Sequence, residues 1–88
     1  MKFLGCKRNR SKLELAYEVL KATKETANFS KLCFQANSNN NTLQPIIAHL
    51  KEKGLISENR TKSQRLFTIT ALGKDVLKEL RYMFSLIE

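Results

Sequence analysis

Residues 37–45 read NSNNNTLQP. Asn39, Asn40 and Asn41 are consecutive, Gln44 follows three positions later, and no charge falls among them. A carboxamide offers a hydrogen-bond donor and an acceptor side by side, so Asn and Gln can pair bidentately with N6 and N7 of adenine. The same amide competes for backbone partners, which also suits the run to a turn or a helix cap. The two roles are compatible. A second group is cationic. Arg60, Lys62 and Arg65 lie within six residues, and between residues 55 and 70 only Glu58 opposes them. A third group, Arg8 and Arg10 with Lys2, Lys7 and Lys12, lies in an acid-free opening stretch. Clusters of this kind suit the phosphates of a polyanion.

Other chemistry finds little support. Cys6, Cys33 and His49 match no standard metal-ligand spacing, so no metal is expected. Cys33 lies in an apolar stretch and reads as a small core residue. The chain has three glycines and no Gly-rich phosphate loop, and no cofactor motif. His49 has no acid or nucleophile placed with it in a motif, so an enzyme is not expected.

The elements that must position these groups can be read from capping signals and periodicity. Ser11-Lys12-Leu13-Glu14 is a capping box. Leu13, Ala16, Tyr17 and Leu20 then follow at amphipathic spacing, which predicts a helix over 12–23. Ser30 is the expected cap of a short second helix, with Ala36-Asn37 as the turn that follows. Leu43, Ile46, Ile47 and Leu50 repeat the helical stripe and predict a third helix running to about Lys53, closed by Gly54. Pro45 costs little in a first turn and about 3 kcal/mol in an interior, so a start near Asn41 or Thr42 is expected, or one at Asn39 with a distortion at Pro45. LISEN and RLFTI read as two strands joined by the polar loop RTKSQ. Thr70 is placed to cap a last helix.

Eighty-eight residues make one domain with a modest core. Hydrophobic residues are 42% of the chain, and no apolar run approaches the ~20 residues a membrane helix needs. A cytoplasmic protein without membrane contact is expected. Sixteen Lys and Arg against eight Asp and Glu give a formal charge of +8, which points to a polyanion partner. The order helix, helix, turn, helix, strand, basic loop, strand, helix predicts a mainly α chain with a small β-hairpin (α+β), a winged helix-turn-helix. The expected organisation is a basic tail over 1–10, a winged helix-turn-helix core over 11–70, and a C-terminal helix over 71–88 serving core packing and dimerisation.

RSKLELAYEVLKAT, SKLCFQAN, LKEKGLI and FTITALGKDVLKEL together resemble the archaeal winged-helix family of small basic DNA-binding proteins and transcriptional regulators. The resemblance covers about residues 8 to 84. It departs after Ala36-Asn37, where the family has an apolar residue, then Ser, then an aromatic. Here those positions are Ser38, Asn39 and Asn40, and Pro45 is a further departure. The resemblance implies double-stranded DNA as partner and transcriptional regulation as role. Centring the buried face of the third helix on Leu43, Ile46, Ile47 and Leu50 puts Asn41, Pro45, Ala48 and Glu52 opposite, with Gln44 and His49 at the edges. The expected DNA-binding residues are Asn39, Asn40, Asn41 and Gln44 in the major groove; Arg60, Lys62 and Arg65 on the backbone or minor groove; and Arg8 and Arg10. The alternatives are a winged-helix protein-interaction module and a chromatin-type architectural binder with little sequence preference. RNA binding is disfavoured by the lack of exposed aromatic clusters.

Leu77, Leu80, Phe84 and Ile87 fall at a, d, a, d spacing with Met83 beside them. A domain this small cannot readily bury them all, so a homodimer through this helix is expected.

Overall fold

The computed structural model describes residues 12–87. The elements are α1 (Lys12–Ala22), β1 (Ala27–Asn28), α2 (Phe29–Ala36), α3 (Asn40–Glu52), β2 (Ile56–Arg60), β3 (Arg65–Ile69) and α4 (Ala71–Ile87). The three strands form an antiparallel sheet in the order β1-β3-β2. The helices and the hairpin follow the sequence pattern. Strand β1 does not: two residues are too few to display a period-two alternation. Ser11, Cys6, Arg8 and Arg10 lie outside the described residues.

One core joins all four helices to the sheet. Leu15, Val19 and Leu20 of α1, Leu32 and Ala36 of α2, Leu43, Ile46, Ile47 and Leu50 of α3, and Phe67 of β3 are buried in it. Thr23 is buried just past α1. Its hydroxyl donates back toward the Val19 and Leu20 carbonyls at 3.0 and 3.1 Å, and its own carbonyl accepts from the Ile69 N–H at 2.9 Å. The end of α1 is thereby tied to the end of β3.

The cap of α2 differs from the expectation. Asn28, not Ser30, is the N-cap, and its side chain accepts from the Lys31 N–H at 2.8 Å. Pairing with β3, Ala27 to Phe67 and Asn28 to Leu66, holds Asn28 extended, which is the backbone an N-cap requires. The helix therefore starts at Phe29. It ends at Asn37, which takes the left-handed conformation (φ 53, ψ 50) that Asn tolerates, with the Ser38 N–H on the Cys33 carbonyl. Cys33 packs half-buried against the core, and burial pushes its thiol pKa up.

Asn39 caps α3 by accepting from the Thr42 N–H at 2.9 Å, and Pro45 lies inside the helix, which runs through it. The end of α3 is a Schellman turn. Gly54 has φ +78, its N–H bonds the Lys51 carbonyl, and the Leu55 N–H bonds the Leu50 carbonyl. Thr70 caps α4 as expected, accepting from the Gly73 N–H at 3.0 Å.

Helix α4 packs on its own domain for most of its length. Leu77, Leu80 and Phe84 are buried, and the Phe84 ring meets Tyr17 edge-on at 4.7 Å. Three of the five residues expected at a dimer seam thus fill the chain's own core. Met83 and Ile87, at 51% and 55% exposure, do not. The a/d spacing is satisfied equally by an intrachain core and by a second helix, and here the first takes Leu77, Leu80 and Phe84.

Candidate nucleic-acid interface

The turn and caps described above fix α3 with its apolar stripe inward, so its outer face is determined. Asn40, Asn41, Thr42, Gln44, Pro45, Ala48, His49, Lys51 and Glu52 are exposed, in agreement with the helical wheel. The three consecutive asparagines divide their roles. Asn39 caps the helix, and Asn40 Oδ1 accepts from the Cys33 thiol at 3.5 Å. Asn41 lies with Pro45 and His49 along a groove of about 750 Å³, closed on its other side by Lys12, Leu13 and Ala16 of α1. The N-terminal half of α3 is thus neutral, with its carboxamides in solvent. The acid of this face, Glu52, is at the far end.

The wing is β2, β3 and the loop 61–64. Thr61 organises the loop: its hydroxyl accepts from the Gln64 N–H at 3.1 Å, and its backbone N–H bonds the Gln64 carbonyl at 2.9 Å. Arg60, Lys62 and Arg65 line a shallow concavity of about 250 Å³ with Thr61, Ser63 and Gln64. The hairpin thus brings the three expected wing cations together, but their circumstances differ.

Arg60 and Arg65 are register partners across β2 and β3, and Glu58 pairs with Phe67 two residues along. Side chains two apart on one strand share a face, so Glu58, Arg60, Arg65 and Phe67 lie on one side of the hairpin. Like charges directly opposite each other repel, and Glu58 offsets this. Its carboxylate accepts from Arg65 Nε at 2.7 Å and Nη2 at 3.4 Å, and from Lys51 Nζ at 2.5 Å; Arg60 Nε is 3.5 Å away. The hydrogen bonds from Arg65 and Lys51 hold the Glu58 carboxyl at a pKa of about 2, and the same pairing pushes Arg65 further up. Arg65 also lies over the rings of Phe67 and Phe29, at 5.1 and 6.0 Å. Its side chain is 32% exposed, against 74% for Arg60. Arg60 and Lys62 are therefore the outward cations of the wing, while Arg65 is built into its base.

The wing is tied to the helices on two sides. Lys51 of α3 reaches Glu58 of β2, and Asn28 Nδ2 at the start of α2 donates to Gln64 Oε1 at 2.9 Å. Glu58, Gln64 and Asn28 were not among the residues expected from sequence. The signal available for Glu58 was its isolation as the one acid of a basic stretch. Its partner on α3 is visible only once the strands are placed. Arg8 and Arg10 lie outside the described residues. Among the described residues, no group of three His, Cys, Asp or Glu is placed to hold a metal.

Three helices, a left-handed turn leading into an exposed helix, and an antiparallel hairpin beyond it define a winged helix-turn-helix. A winged helix-turn-helix family model matches residues 9–88, and the chain belongs to that family. No curated protein matches the sequence. Among solved structures, the chain is similar to Sso10a-2, a DNA-binding protein from Sulfolobus solfataricus, at 16% identity and TM-score 0.83, over 88% of this chain and 81% of that one. It is similar to the transcriptional regulator BldR from Sulfolobus solfataricus at 23% identity and TM-score 0.77, over 83% of this chain and 55% of that one. It is also similar to a PadR family transcriptional regulator from Eggerthella lenta at 21% identity and TM-score 0.75, over 97% and 77%. At these identities the likeness establishes the shared fold.

Proposed function

We propose that this chain binds double-stranded DNA as a homodimer and regulates transcription. The N-terminal half of α3 enters the major groove, and Arg60 and Lys62 of the wing contact phosphates or the minor groove. The observation that carries this reading is the division of the surface. A neutral, amide-bearing helix face at Asn41, Gln44, Pro45 and Ala48 stands beside a wing whose outward side chains are cationic. A neutral amide face suits base edges, and outward, solvent-facing cations suit phosphates. Family membership and the descriptions of the structural neighbours as DNA-binding proteins and transcriptional regulators support the same role.

Asn41 and Gln44 are the base-reading candidates. Asn39 and Asn40 serve the cap and the Cys33 contact through their side-chain oxygens, which leaves their amide NH2 groups for DNA. Arg8 and Arg10 are proposed to reach phosphates near the start of α1. Arg65 contributes by shaping the wing. The homodimer reading is supported by Tyr82, Met83, Leu86 and Ile87, which leave the C-terminal half of α4 with an apolar surface between 51% and 66% exposed. A two-fold partner covers such a patch with the same patch and presents two recognition helices to two half-sites. No helix among the described residues is long and apolar enough to cross a membrane.

Selection of bound duplexes from a random pool tests the reading. It predicts recovery of a short inverted repeat. Binding without any enriched sequence points to an architectural role, and no duplex binding at all contradicts the proposal and favours a protein-interaction module.

A further inference from the structure

We propose that Glu58 is a built-in counter-ion of the wing, withholding Arg65 and Lys51 from DNA phosphates and so setting how strongly the protein discriminates a cognate duplex from random DNA. The inference rests on the DNA-binding reading above.

The geometry around the carboxylate is the basis. Glu58 has only 10% of its side chain exposed, and both of its oxygens are occupied: Oε1 by Lys51, and Oε2 by Arg65 with Arg60 nearby. Arg65 is further held by the faces of Phe67 and Phe29. Transferring Arg65 or Lys51 to a phosphate would strip a largely buried carboxylate of its partners, and an unpaired buried charge is costly. A free lysine or arginine on a solvated loop carries no such cost. Four charged residues in one cluster thus act as two units: an inner group of Glu58, Lys51 and Arg65 with net charge +1, and an outer cation, Arg60, at the rim. Phosphate contacts are blind to sequence, so each one adds to cognate and random binding alike. A wing with fewer available cations leaves a larger share of the binding energy to the base-reading face of α3. Glu58 also joins α3 to β2 through Lys51, so the charge that limits phosphate contacts also fixes the wing against the recognition helix.

The test is a salt titration of duplex binding by the full chain carrying Glu58→Gln, a substitution that keeps the shape and removes the charge. A selected duplex and a random one are compared. Releasing one or both inner cations steepens the slope of log affinity against log salt by about 0.9 for each. Random-duplex affinity should rise more than cognate affinity, so their ratio falls. Adding Lys51→Met to Glu58→Gln should take back about one such increment if Lys51 has been released. Lys51→Met alone should leave the wild-type slope unchanged. Should Glu58→Gln lower the melting temperature, Lys51→Met alone still decides: a slope shallower by about 0.9 would mean that Lys51 already holds a phosphate in the wild type, and would overturn the inference. An unchanged slope and ratio in a folded Glu58→Gln protein would overturn it as well. Wild-type protein showing no salt-dependent duplex binding would remove the DNA-binding reading, and this inference with it. Wild-type binding with an unaltered Glu58→Gln slope defeats the inference alone.

Discussion

Asn28 Nδ2 donates to Gln64 Oε1 at 2.9 Å, joining the residue that caps α2 to the loop of the wing. Asn28 therefore works twice, since its Oδ1 also holds the Lys31 N–H. Asn28→Ala should cost about 1–2 kcal/mol, as loss of a good N-cap does. Gln64→Ala removes only an exposed hydrogen bond and should cost about 0.5–1 kcal/mol. Urea unfolding of both single variants and the double variant checks this. The double should lose less than the two singles added together, because the pair shares one bond.

Gly73 has no room for a side chain. A Cβ there would overlap the Leu55 carbonyl oxygen and stand 2.7 Å from Ile69 Cγ1. The Leu55 carbonyl is held in place by the Thr70 N–H at 3.0 Å, so it cannot retreat without breaking the junction of β3 and α4. Gly73→Ala gains helix propensity of about 1 kcal/mol yet should still destabilise the protein by about 1–3 kcal/mol, because the clash is with backbone. A melting temperature at or above that of the wild type would contradict this packing.

Glu58 also predicts an acid limb in the stability profile. Its folded-state pKa, about 2, lies below the ordinary value of 4.5. The unfolded chain then binds more protons in the interval, and stability must fall as pH falls. The contribution is complete above about pH 4.5 and is lost progressively toward pH 2. Glu58→Gln should flatten the loss of stability over that interval, measured by urea unfolding at successive pH values. An identical acid limb in the variant would contradict the assignment.

For the dimer, the informative substitutions are on the exposed side of α4. Leu86→Glu with Met83→Glu should turn a dimer into a folded monomer in sedimentation at micromolar concentration. Phe84→Ala should instead cost about 3–5 kcal/mol of fold stability, because the ring is buried against Tyr17. A wild-type monomer at micromolar concentration would sink the dimer.

Much of the fold was legible in the sequence because its signals are local. Thr70 and Gly54 stand where caps must, Asn37 takes the left-handed turn, and four apolar residues at helical spacing fix the outer face of α3. The misreadings share a different cause. Ser30 and Asn28 are both good caps, and pairing with β3, forty residues away, decides between them. Phe84 has the spacing of a dimer seam and of a core, and only the position of Tyr17 separates the two. Arg65 reads as a free wing cation until the strand register places Glu58 and two aromatic rings around it. Local chemistry is written in neighbouring residues, whereas the choice between equivalent local options is made by tertiary contacts.

The central claim, that α3 reads bases while the wing holds phosphates, is tested most directly by measuring affinity against salt for four variants on a selected and a random duplex, each variant first shown to melt like the wild type. Asn41→Ala and Gln44→Ala should each lose about 1–3 kcal/mol on the selected duplex, with random-duplex affinity and salt slope unchanged. Arg60→Ala and Lys62→Ala should weaken both duplexes by similar amounts and make the slope shallower by about 0.9 per lost contact. Wing variants with intact salt dependence, together with amide variants with intact sequence preference, would contradict the account.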